Sequence, residues 1–216
     1  MAGRRRARRL GVTMRQAPAQ GYRELRDALA RDWHAFLSAA LPEIAWMPIP
    51  NVGEAARHMA GSWDLDGLVL SGGEDVGKAP ARDRTEAELL DCFLKRGLPV
   101  LGVCRGLQFM QRHFGGRLSR IPGLAHVARR HAIELTGSNV PVPGRRGSLN
   151  VNSYHGIGIR HDDLAAPLEA FAVSADGFVE GAVAPAARII GVMWHPERER
   201  PFKSFDRALV RRLFGY

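Results

Sequence analysis

The sequence has few cysteines and no long apolar run, and each shortage excludes a class of protein. Cys92 and Cys104 are the two cysteines in 216 residues, too few for the disulfide framework of a small secreted domain. No apolar run approaches the ~20 residues that a membrane-spanning helix needs. The basic N-terminus, "MAGRRRARRLGVTM", lacks the apolar segment of a secretory signal. We therefore expect a cytoplasmic protein with no membrane partner.

Acidic residues are outnumbered by basic ones, which raises the question of an anionic partner. The formal net charge is +9, and five arginines lie between Arg4 and Arg9. Such an arm could bind nucleic-acid phosphates, but no recognition helix, zinc-ligand spacing or aromatic RNA-binding signature accompanies it. We expect residues 1–8 to form a flexible basic arm, and we do not expect nucleic acid to be a partner. An anionic substrate would account for part of the remaining positive charge.

Apolar strand-like runs alternate with helical patterns, which predicts a single α/β domain over residues 1–216. The runs "GLVL" and "VLGV" are apolar apart from glycine, as in parallel strands covered on both faces. Shorter strand patterns in the second half predict a small antiparallel extension of a largely parallel sheet flanked by helices. Helices are predicted over residues 22–41, 85–97, 105–116 and 202–214, with Thr85 as an N-cap, and a mobile loop over residues 136–148.

Cys104 follows the apolar run "PVLGV" and stands at the start of a predicted helix. A sharp strand-to-helix turn here would expose a strained nucleophile, with Gly102 and Gly106 allowing the strand and the helix to approach closely. The helix N-terminus stabilises a thiolate and offers free N–H groups to a developing oxyanion. Buried cysteines are common, so a packing role is the alternative for Cys104 unless a base is found. Cys92 lies mid-helix on an apolar face and is assigned to packing.

The segment "GVMWHPE" supplies a candidate base at the end of a core strand. His195 and Glu197 are two residues apart, so their side chains can point to the same side, with Pro196 fixing the backbone between them. Glu197 can then orient the imidazole while its other nitrogen faces a thiol, which is the arrangement of a catalytic triad. A metal site at Cys104 and His195 is the alternative, but no compact Cys/His spacing supplies further ligands. We expect neither a metal nor another cofactor.

Four motifs in this order, "LVLSGGEDV", "GVCRGLQ", "VNSYHG" and "GVMWHPE", resemble the class I glutamine amidotransferases. Within that family the chain is most similar to the γ-glutamyl amide hydrolases of the peptidase C26 type, the group that includes γ-glutamyl-γ-aminobutyrate hydrolase. The resemblance extends from Gly67 to Glu197. It implies a flavodoxin-like α/β fold and a cysteine-dependent hydrolase, which releases glutamate and an amine from a γ-glutamyl amide through a γ-glutamyl thioester.

The resemblance also implies a role for each residue of these motifs. Cys104 would attack the γ-carbonyl, His195 would carry the thiol proton to the leaving amine, and Glu197 would orient His195. The backbone N–H groups of Gly73 and Arg105 would form the oxyanion hole. The residues expected to contact the glutamyl group are Gly72, Asp75, Gln108, Ser153, Tyr154 and His155. For these residues an ordinary place in a turn or on a helix surface is the alternative.

The leaving amine is the part of the substrate that the motifs do not specify. The loop after "GGEDV" is shorter than is usual in the group, which weakens the case for γ-aminobutyrate as the amine. The segment "GYRELRDALARDWHAFL" resembles smaller relatives found with cell-surface polysaccharide or nucleotide-activated intermediates. Arg23 and Arg26 would then lie on the leaving-group side and bind a phosphate-bearing amine. A charged solvent face on an amphipathic helix is the competing interpretation.

Two other functions are compatible with the same motifs. A glutaminase subunit would hydrolyse glutamine and pass ammonia to a separate synthetase, since the chain contains no GxxxxGK[ST] phosphate-binding loop of its own. A non-catalytic binding protein on the same fold would lack part of the triad, whereas Cys104, His195 and Glu197 are all present.

Overall fold

The computed structural model describes residues 6–216, and an eleven-stranded mixed sheet runs through it beside a separate two-stranded hairpin. The strands are β1 (Arg9–Thr13), β2 (Arg15–Pro18), β3 (Leu25–Ala28), β4 (Ala45–Ile49), β5 (Gly67–Leu70), β6 (Val100–Val103), β7 (Ser119–Arg120), β8 (Arg129–Leu135), β9 (Gly147–Ser153), β10 (Ile157–Arg160), β11 (Glu169–Ser174), β12 (Phe178–Ala184) and β13 (Ile189–Val192). The helices are α1 (Asp32–Ala40), α2 (Ala55–Ser62), α3 (Pro80–Lys95), α4 (Arg105–His113) and α5 (Ser204–Phe214). Over residues 6–216, none of these helices is long and apolar enough to cross a membrane.

The parallel half of the sheet has the order β4–β1–β5–β6–β13. Leu70 lies opposite Gly102 and Val103 opposite Val192, so β5, β6 and β13 end next to one another. Because the carboxyl ends of parallel strands meet at one edge, the segments after these three strands converge there. That edge is where the predicted catalytic motifs lie.

The antiparallel half continues from β13 through β12, β11, β8 and β9, and β10 pairs with both β12 and β7. The fold is therefore the predicted α/β architecture with a parallel sheet and an antiparallel extension. The extension returns to the catalytic edge, because β9 ends at Ser153 and leads directly into Tyr154 and His155.

Helices cover both faces of the parallel half and bury it. On one face α1 and α5 pack Trp33, Phe36 and Leu209 against the sheet. On the other face α2, α3 and α4 contribute residues such as Leu89 and Met110. Strands β5 and β6 contact both layers, which explains why their sequences are apolar at nearly every position.

The helix predicted over residues 22–41 is wrong in its first half. Residues 15–28 form the β2–β3 hairpin, with Arg15 opposite Ala28, and α1 begins only at Asp32. Leu25 matches helical spacing with Leu29, but its side chain is 63% exposed. The predicted helix was therefore too long, because the prediction relied on spacing alone in a segment that has no apolar face to bury.

Two further differences concern the helices before the active-site strand. Helix α2 was not predicted, because its eight residues bury little beyond Ala56 and Ala60. Helix α3 begins at Pro80 rather than at the expected N-cap Thr85. Proline suits the first helical turn, because the N–H group that it lacks would have no hydrogen-bond partner within the helix there. The buried Thr85 hydroxyl instead accepts a hydrogen bond from Gly53 N–H at 2.7 Å.

The expected basic arm and mobile loop are only partly described by the structure. Residues 1–5 of the predicted arm lie outside the described residues. Arg6 donates to the Asp66 carboxylate at 2.8 Å, and the Arg8 guanidinium lies over the Tyr216 ring, so this part of the arm lies against the rest of the molecule. Residues 136–146 have no regular secondary structure, and the remainder of the predicted loop belongs to β9.

The packing of α4 on the sheet depends on two glycines. A Cβ atom at Gly102 would lie 2.8 Å from the carbonyl carbon of Gly106. A Cβ atom at Gly106 would overlap the carbonyl oxygen of Leu70. Backbone atoms cannot rotate away as a flexible side chain can. The first turn of α4 can therefore lie this close to the sheet only because both positions are glycine.

Replacing Gly106 by alanine should therefore destabilise the protein, by more than the ~1–3 kcal/mol typical of an extra methylene in a packed core. Gly61→Ala is the matched control, because Gly61 lies within α2 with open space around its Cβ position. That control should gain about 0.5–1 kcal/mol from helix propensity. Urea unfolding of both variants measures the difference, and equal stabilities would contradict the close-packing interpretation.

Candidate active site

Cys104 occupies the turn between β6 and α4 in a strained backbone conformation. Its φ is 52° and its ψ is −104°, a region that non-glycine residues adopt at a cost of about 1–3 kcal/mol. Its N–H continues the sheet ladder by donating to the Val192 carbonyl at 2.7 Å. The next residue, Arg105, begins α4, so its N–H belongs to the first turn and has no carbonyl one turn back. This geometry is that of a nucleophile elbow.

His195 and Glu197 lie beside the cysteine at the end of β13. His195 Nδ1 is 2.6 Å from Glu197 Oε1, and both side chains are almost fully buried. The other side of the imidazole contacts the Cys104 side chain. Burial lowers the pKa of His195, but the interactions with Cys104 and Glu197 outweigh burial and raise the pKa to about 9. The imidazole is therefore held as a cation between a sulfur and a carboxylate near neutral pH.

Asn152 fixes the backbone of His195 and was not among the predicted residues. Its side-chain oxygen accepts a hydrogen bond from His195 N–H, and its side-chain nitrogen donates to the His195 carbonyl, both at 2.8 Å. The amide thus binds β9 to the segment that carries the base. An asparagine within "VNSYHG" was visible in the sequence, but nothing there indicated which strand it would meet.

Gly72 and Gly73 form a loop that passes directly over the imidazole. A Cβ atom at Gly72 would lie 2.7 Å from His195 Cε1, so glycine is required for this approach. Gly73 has a φ of 154° and faces the Arg82 guanidinium. Both residues line a cavity of about 50 Å³ with His195 and Glu197. The loop thereby brings the Gly73 backbone to the same cavity as His195.

A buried charge network supports this loop and also went unpredicted. Arg82 Nη2 donates to the Ser71 carbonyl at 2.6 Å, and Arg82 Nε donates to Glu86 at 2.9 Å. Arg105 also pairs with Glu86, and Thr13 donates to the same carboxylate at 2.7 Å. Both arginines and Glu86 are almost completely buried. The four-residue spacing of Arg82 and Glu86 on α3 was the available signal.

Tyr154 and Arg198 form the exposed rim of the site. The Tyr154 ring is 46% exposed, and its centroid is 5.7 Å from that of His195. The Arg198 guanidinium lies 4.7 Å from the Tyr154 ring centroid, a cation–π contact. Arg15, on the β2–β3 hairpin, lines the same small cavity as Arg198 and has a side chain that is 53% exposed. Arg15 and Arg198 therefore both border His195, and each also lies near a carboxylate, Arg15 near Glu74 and Arg198 near Glu197.

Arg23 and Arg26 do not occupy the place expected of them. Arg26 pairs with Glu24 and stacks on Tyr22, and neither Arg23 nor Arg26 lines the cavity at His195. The hairpin explains the difference, since its open end at Arg15 faces the site while Arg26 lies further towards the turn. Arg15 and Arg198, rather than Arg23 and Arg26, line the cavity at His195.

Several residues that were predicted to contact the glutamyl group have side chains that bind other parts of the protein. Ser153 is fully buried and donates to the His126 carbonyl at 2.7 Å. The Gln108 amide nitrogen donates to the Ile157 carbonyl at 2.8 Å and joins α4 to β10. Asp75 is exposed and lines a broad depression of about 980 Å³ that also includes Ile157. The Ser153 and Gln108 side chains thus bind backbone carbonyls of the protein, and Asp75 lines the depression that Ile157 also borders.

His155, which was predicted to contact the glutamyl group, directs its imidazole into a buried cluster of histidines. Its Nε2 is 3.6 Å from Glu180 Oε1, and His126 and His131 contact the same carboxylate. Burial raises the pKa of Glu180, but the three imidazoles outweigh burial and lower the pKa. His126, His131 and Glu180 could hold a metal ion, which their spacing along the sequence did not indicate.

The matches to known proteins include the part of the chain that forms this site. The Peptidase C26 family model matches residues 11–197, which include the elbow, the histidine and the acid. Gamma-glutamyl-CDP-amidate hydrolase of Campylobacter jejuni is 26% identical over 200 residues, which cover 88% of this chain and 90% of that protein. PB2B2.05 of Schizosaccharomyces pombe is 33% identical over 168 residues, and the match spans 62% of the chain and 62% of that relative's length.

A solved structure extends the comparison to the fold. A glutamine amidotransferase from Thermotoga maritima superposes with a TM-score of 0.72 at 15% identity, covering 98% of this chain and 100% of that chain. At that identity the likeness concerns the fold, which agrees with the sheet order described above. The family match over residues 11–197 identifies the chain as a member of the Peptidase C26 family, whose name denotes hydrolysis of amide bonds.

Proposed function

We propose that this protein hydrolyses the amide bond between the γ-carboxyl of glutamate and an amine. The observation that supports this proposal most directly is that Cys104, His195 and Glu197 lie buried together. Cys104 occupies a strand-to-helix turn, and His195 Nδ1 is 2.6 Å from Glu197 Oε1. The name of the Campylobacter jejuni relative, a γ-glutamyl amidate hydrolase, supports the same bond class. Family membership supports an amide hydrolase, and the site residues supply the chemistry.

The reaction begins with attack of the Cys104 sulfur on the γ-carbonyl carbon. The carbonyl oxygen becomes an oxyanion, which the N–H groups of Gly73 and Arg105 stabilise. The His195 imidazolium donates its proton to the leaving nitrogen, the C–N bond breaks, and a γ-glutamyl thioester is left on Cys104. Glu197 keeps the imidazole aligned throughout.

Water completes the turnover by attacking the thioester. His195, now neutral, takes a proton from the water molecule as its oxygen bonds to the γ-carbon. The C–S bond then breaks, glutamate leaves, and the sulfur and the imidazolium return to their starting charges. No atom beyond substrate and water is consumed, so the residues described above suffice for the cycle.

The leaving amine is proposed to carry a phosphate or a nucleotide. Arg15 and Arg198 border His195 at the rim, where the group attached to the scissile nitrogen must project. Arginine binds phosphate oxygens through two parallel N–H donors, which suits such a group. The relative from Campylobacter jejuni is named for a CDP-amidate. These arginines take the role that the sequence alone had given to Arg23 and Arg26.

The first test replaces the proposed nucleophile. Cys104→Ala should abolish turnover of γ-glutamyl amides while the far-ultraviolet circular dichroism and the unfolding midpoint remain close to those of the parent protein. Cys92→Ala is the matched control, because Cys92 is the half-buried thiol of α3 and lies outside the site. Turnover should be unchanged in that control. Retained activity in Cys104→Ala would refute the mechanism.

The same assay separates the hydrolase from the glutaminase subunit considered above. The purified chain is supplied with glutamine and with a panel of γ-glutamyl amines, and release of glutamate is measured. Activity of the chain alone on the γ-glutamyl amines supports the hydrolase. Activity confined to glutamine, and appearing only when a synthetase is added, would establish the glutaminase subunit instead.

The rate should fall as the pH rises through about 9, because the pKa of His195 is raised to about 9. Above that pH the imidazolium loses the proton that the leaving amine needs, so kcat/KM declines tenfold per pH unit. The sign follows from the raised pKa, which keeps the cation present at and below neutral pH. A pH profile of kcat/KM measures the descending limb. A profile that stays level through pH 9 would contradict the assignment.

The phosphate proposal predicts a substrate-dependent defect in Arg15→Met. A matched pair of probes is γ-glutamyl-ethanolamine and its phosphate ester. The variant should raise KM about tenfold for the ester, equivalent to ~1.4 kcal/mol, and leave the neutral amide nearly unaffected. Arg26→Met on the same hairpin is the control and should change neither substrate. Equal effects of Arg15→Met on both probes would overturn the phosphate assignment.

A further inference from the structure

A cluster of three histidines and one glutamate lies within the antiparallel half of the sheet, outside the catalytic series. His126 precedes β8, His131 lies on β8, His155 follows β9, and Glu180 lies on β12. Glu180 is completely buried, and the side chains of His126 and His155 are 2% exposed. Four chain segments thus direct ionisable groups to one interior point, and no step proposed above uses them.

The atoms that face this point lack hydrogen-bond partners among residues 6–216. They are His126 Nδ1, His131 Nε2, His155 Nε2 and both carboxylate oxygens of Glu180. His126 Nδ1 approaches Glu180 Oε1 to 3.1 Å, but without the geometry of a hydrogen bond. Buried polar atoms normally have partners, so five unpartnered ones at a single point call for a ligand.

The separations between the imidazole nitrogens and the Glu180 oxygens match those between two ligands of one metal ion. Two ligands that are each about 2.0–2.1 Å from a zinc ion lie roughly 3.3 Å apart at the tetrahedral angle. The observed separations from the Glu180 oxygens are 3.1 Å for His126, 3.5 Å for His131 and 3.6 Å for His155. The ligand atoms of His126, His131 and Glu180 all lie within 4.8 Å of one another.

The opposite nitrogens of two imidazoles are held in the way that metal-binding histidines require. His126 Nε2 lies 3.0 Å from the Asp176 carboxylate, and His155 Nδ1 lies 3.1 Å from the Ile157 carbonyl. Each outer partner accepts the ring N–H and leaves the inner nitrogen with its lone pair facing the cluster. This observation is independent of the inner distances, and it points to the same ligand.

Charge also fits a divalent cation. One buried carboxylate, Glu180, faces the point directly, and Asp176 lies behind His126 at 43% exposure. Two negative charges and three neutral imidazoles would balance a +2 ion. Nitrogen-rich ligands with one oxygen favour a borderline transition metal over calcium or magnesium, which take oxygen ligands.

We propose that His126, His131 and Glu180 bind a single divalent transition-metal ion, of the zinc class, with His155 packed beside the same carboxylate. The ion would cross-link β8, β12 and the segment before β8. Because Tyr154 immediately precedes His155 and contacts His195, the ion would also fix one wall of the active site.

The test uses the full-length chain with Cys104→Ser, which removes the only buried thiol that could bind zinc near His195. The protein is stripped with a chelator and titrated with Zn²⁺ against a chromophoric indicator, and bound metal is counted by plasma mass spectrometry. One equivalent is expected. Co²⁺ should replace it and give the intense visible absorption of tetrahedral cobalt. Failure to take zinc from the indicator, or a weak octahedral spectrum, would overturn the proposal.

Variants locate the bound ion. His131→Gln removes a ligand whose side chain is 17% exposed and should abolish stoichiometric binding. Asp176→Asn alters only the outer partner and should weaken binding 10- to 100-fold. His161→Gln is the matched control, because that histidine is 60% exposed and lies outside the cluster, and its affinity should equal the parent's. Equal affinity in all three variants would show that zinc binds elsewhere and would refute the site, whatever the variants do to activity.

Discussion

The close contact between the first turn of α4 and the ends of β5 and β6 is the constraint on which the site depends. Gly106 contacts the Leu70 carbonyl with no room for a Cβ atom, and Gly102 contacts Gly106 in the same way. The chain can then pass from strand to helix in one residue. That residue, Cys104, takes a positive φ as a consequence, and its sulfur is placed at the carboxyl edge of the sheet with the helix N-terminus beneath it.

Charge buried behind this turn keeps the opposing loop in place. Glu86 accepts hydrogen bonds from Arg82 and Thr13 and pairs with Arg105, so the loop, β1 and α4 meet at one carboxylate. Removing one member of such a network would leave an uncompensated charge in the interior, which costs about 3–5 kcal/mol. The segments that carry the proposed oxyanion donors, Gly73 and Arg105, are therefore held from behind by buried charged side chains.

Sequence patterns predicted the features that depend on neighbours along the chain. The alternation of apolar runs gave the α/β class, and the glycines around Cys104 indicated the elbow. Asn152 could not be assigned, because its partner His195 lies 43 residues away in the sequence, beyond the end of β13. The hairpin at Arg15 was missed because Leu25 matched a helical period by chance. Local spacing reports on helices and turns, whereas cross-strand partners depend on sheet order, which a single sequence does not contain.

The end of β9 shows how the antiparallel half serves the parallel half. Four consecutive residues act in turn: Asn152 holds the His195 backbone, Ser153 bonds the His126 carbonyl, Tyr154 contacts the catalytic ring, and His155 enters the histidine cluster. Alternation along a strand sends successive side chains to opposite faces, so one short segment can contact both the catalytic base and the cluster behind it. His195 and the histidine cluster are therefore connected through the same four residues, 152–155, which is how the antiparallel half of the sheet reaches the site built on the parallel half.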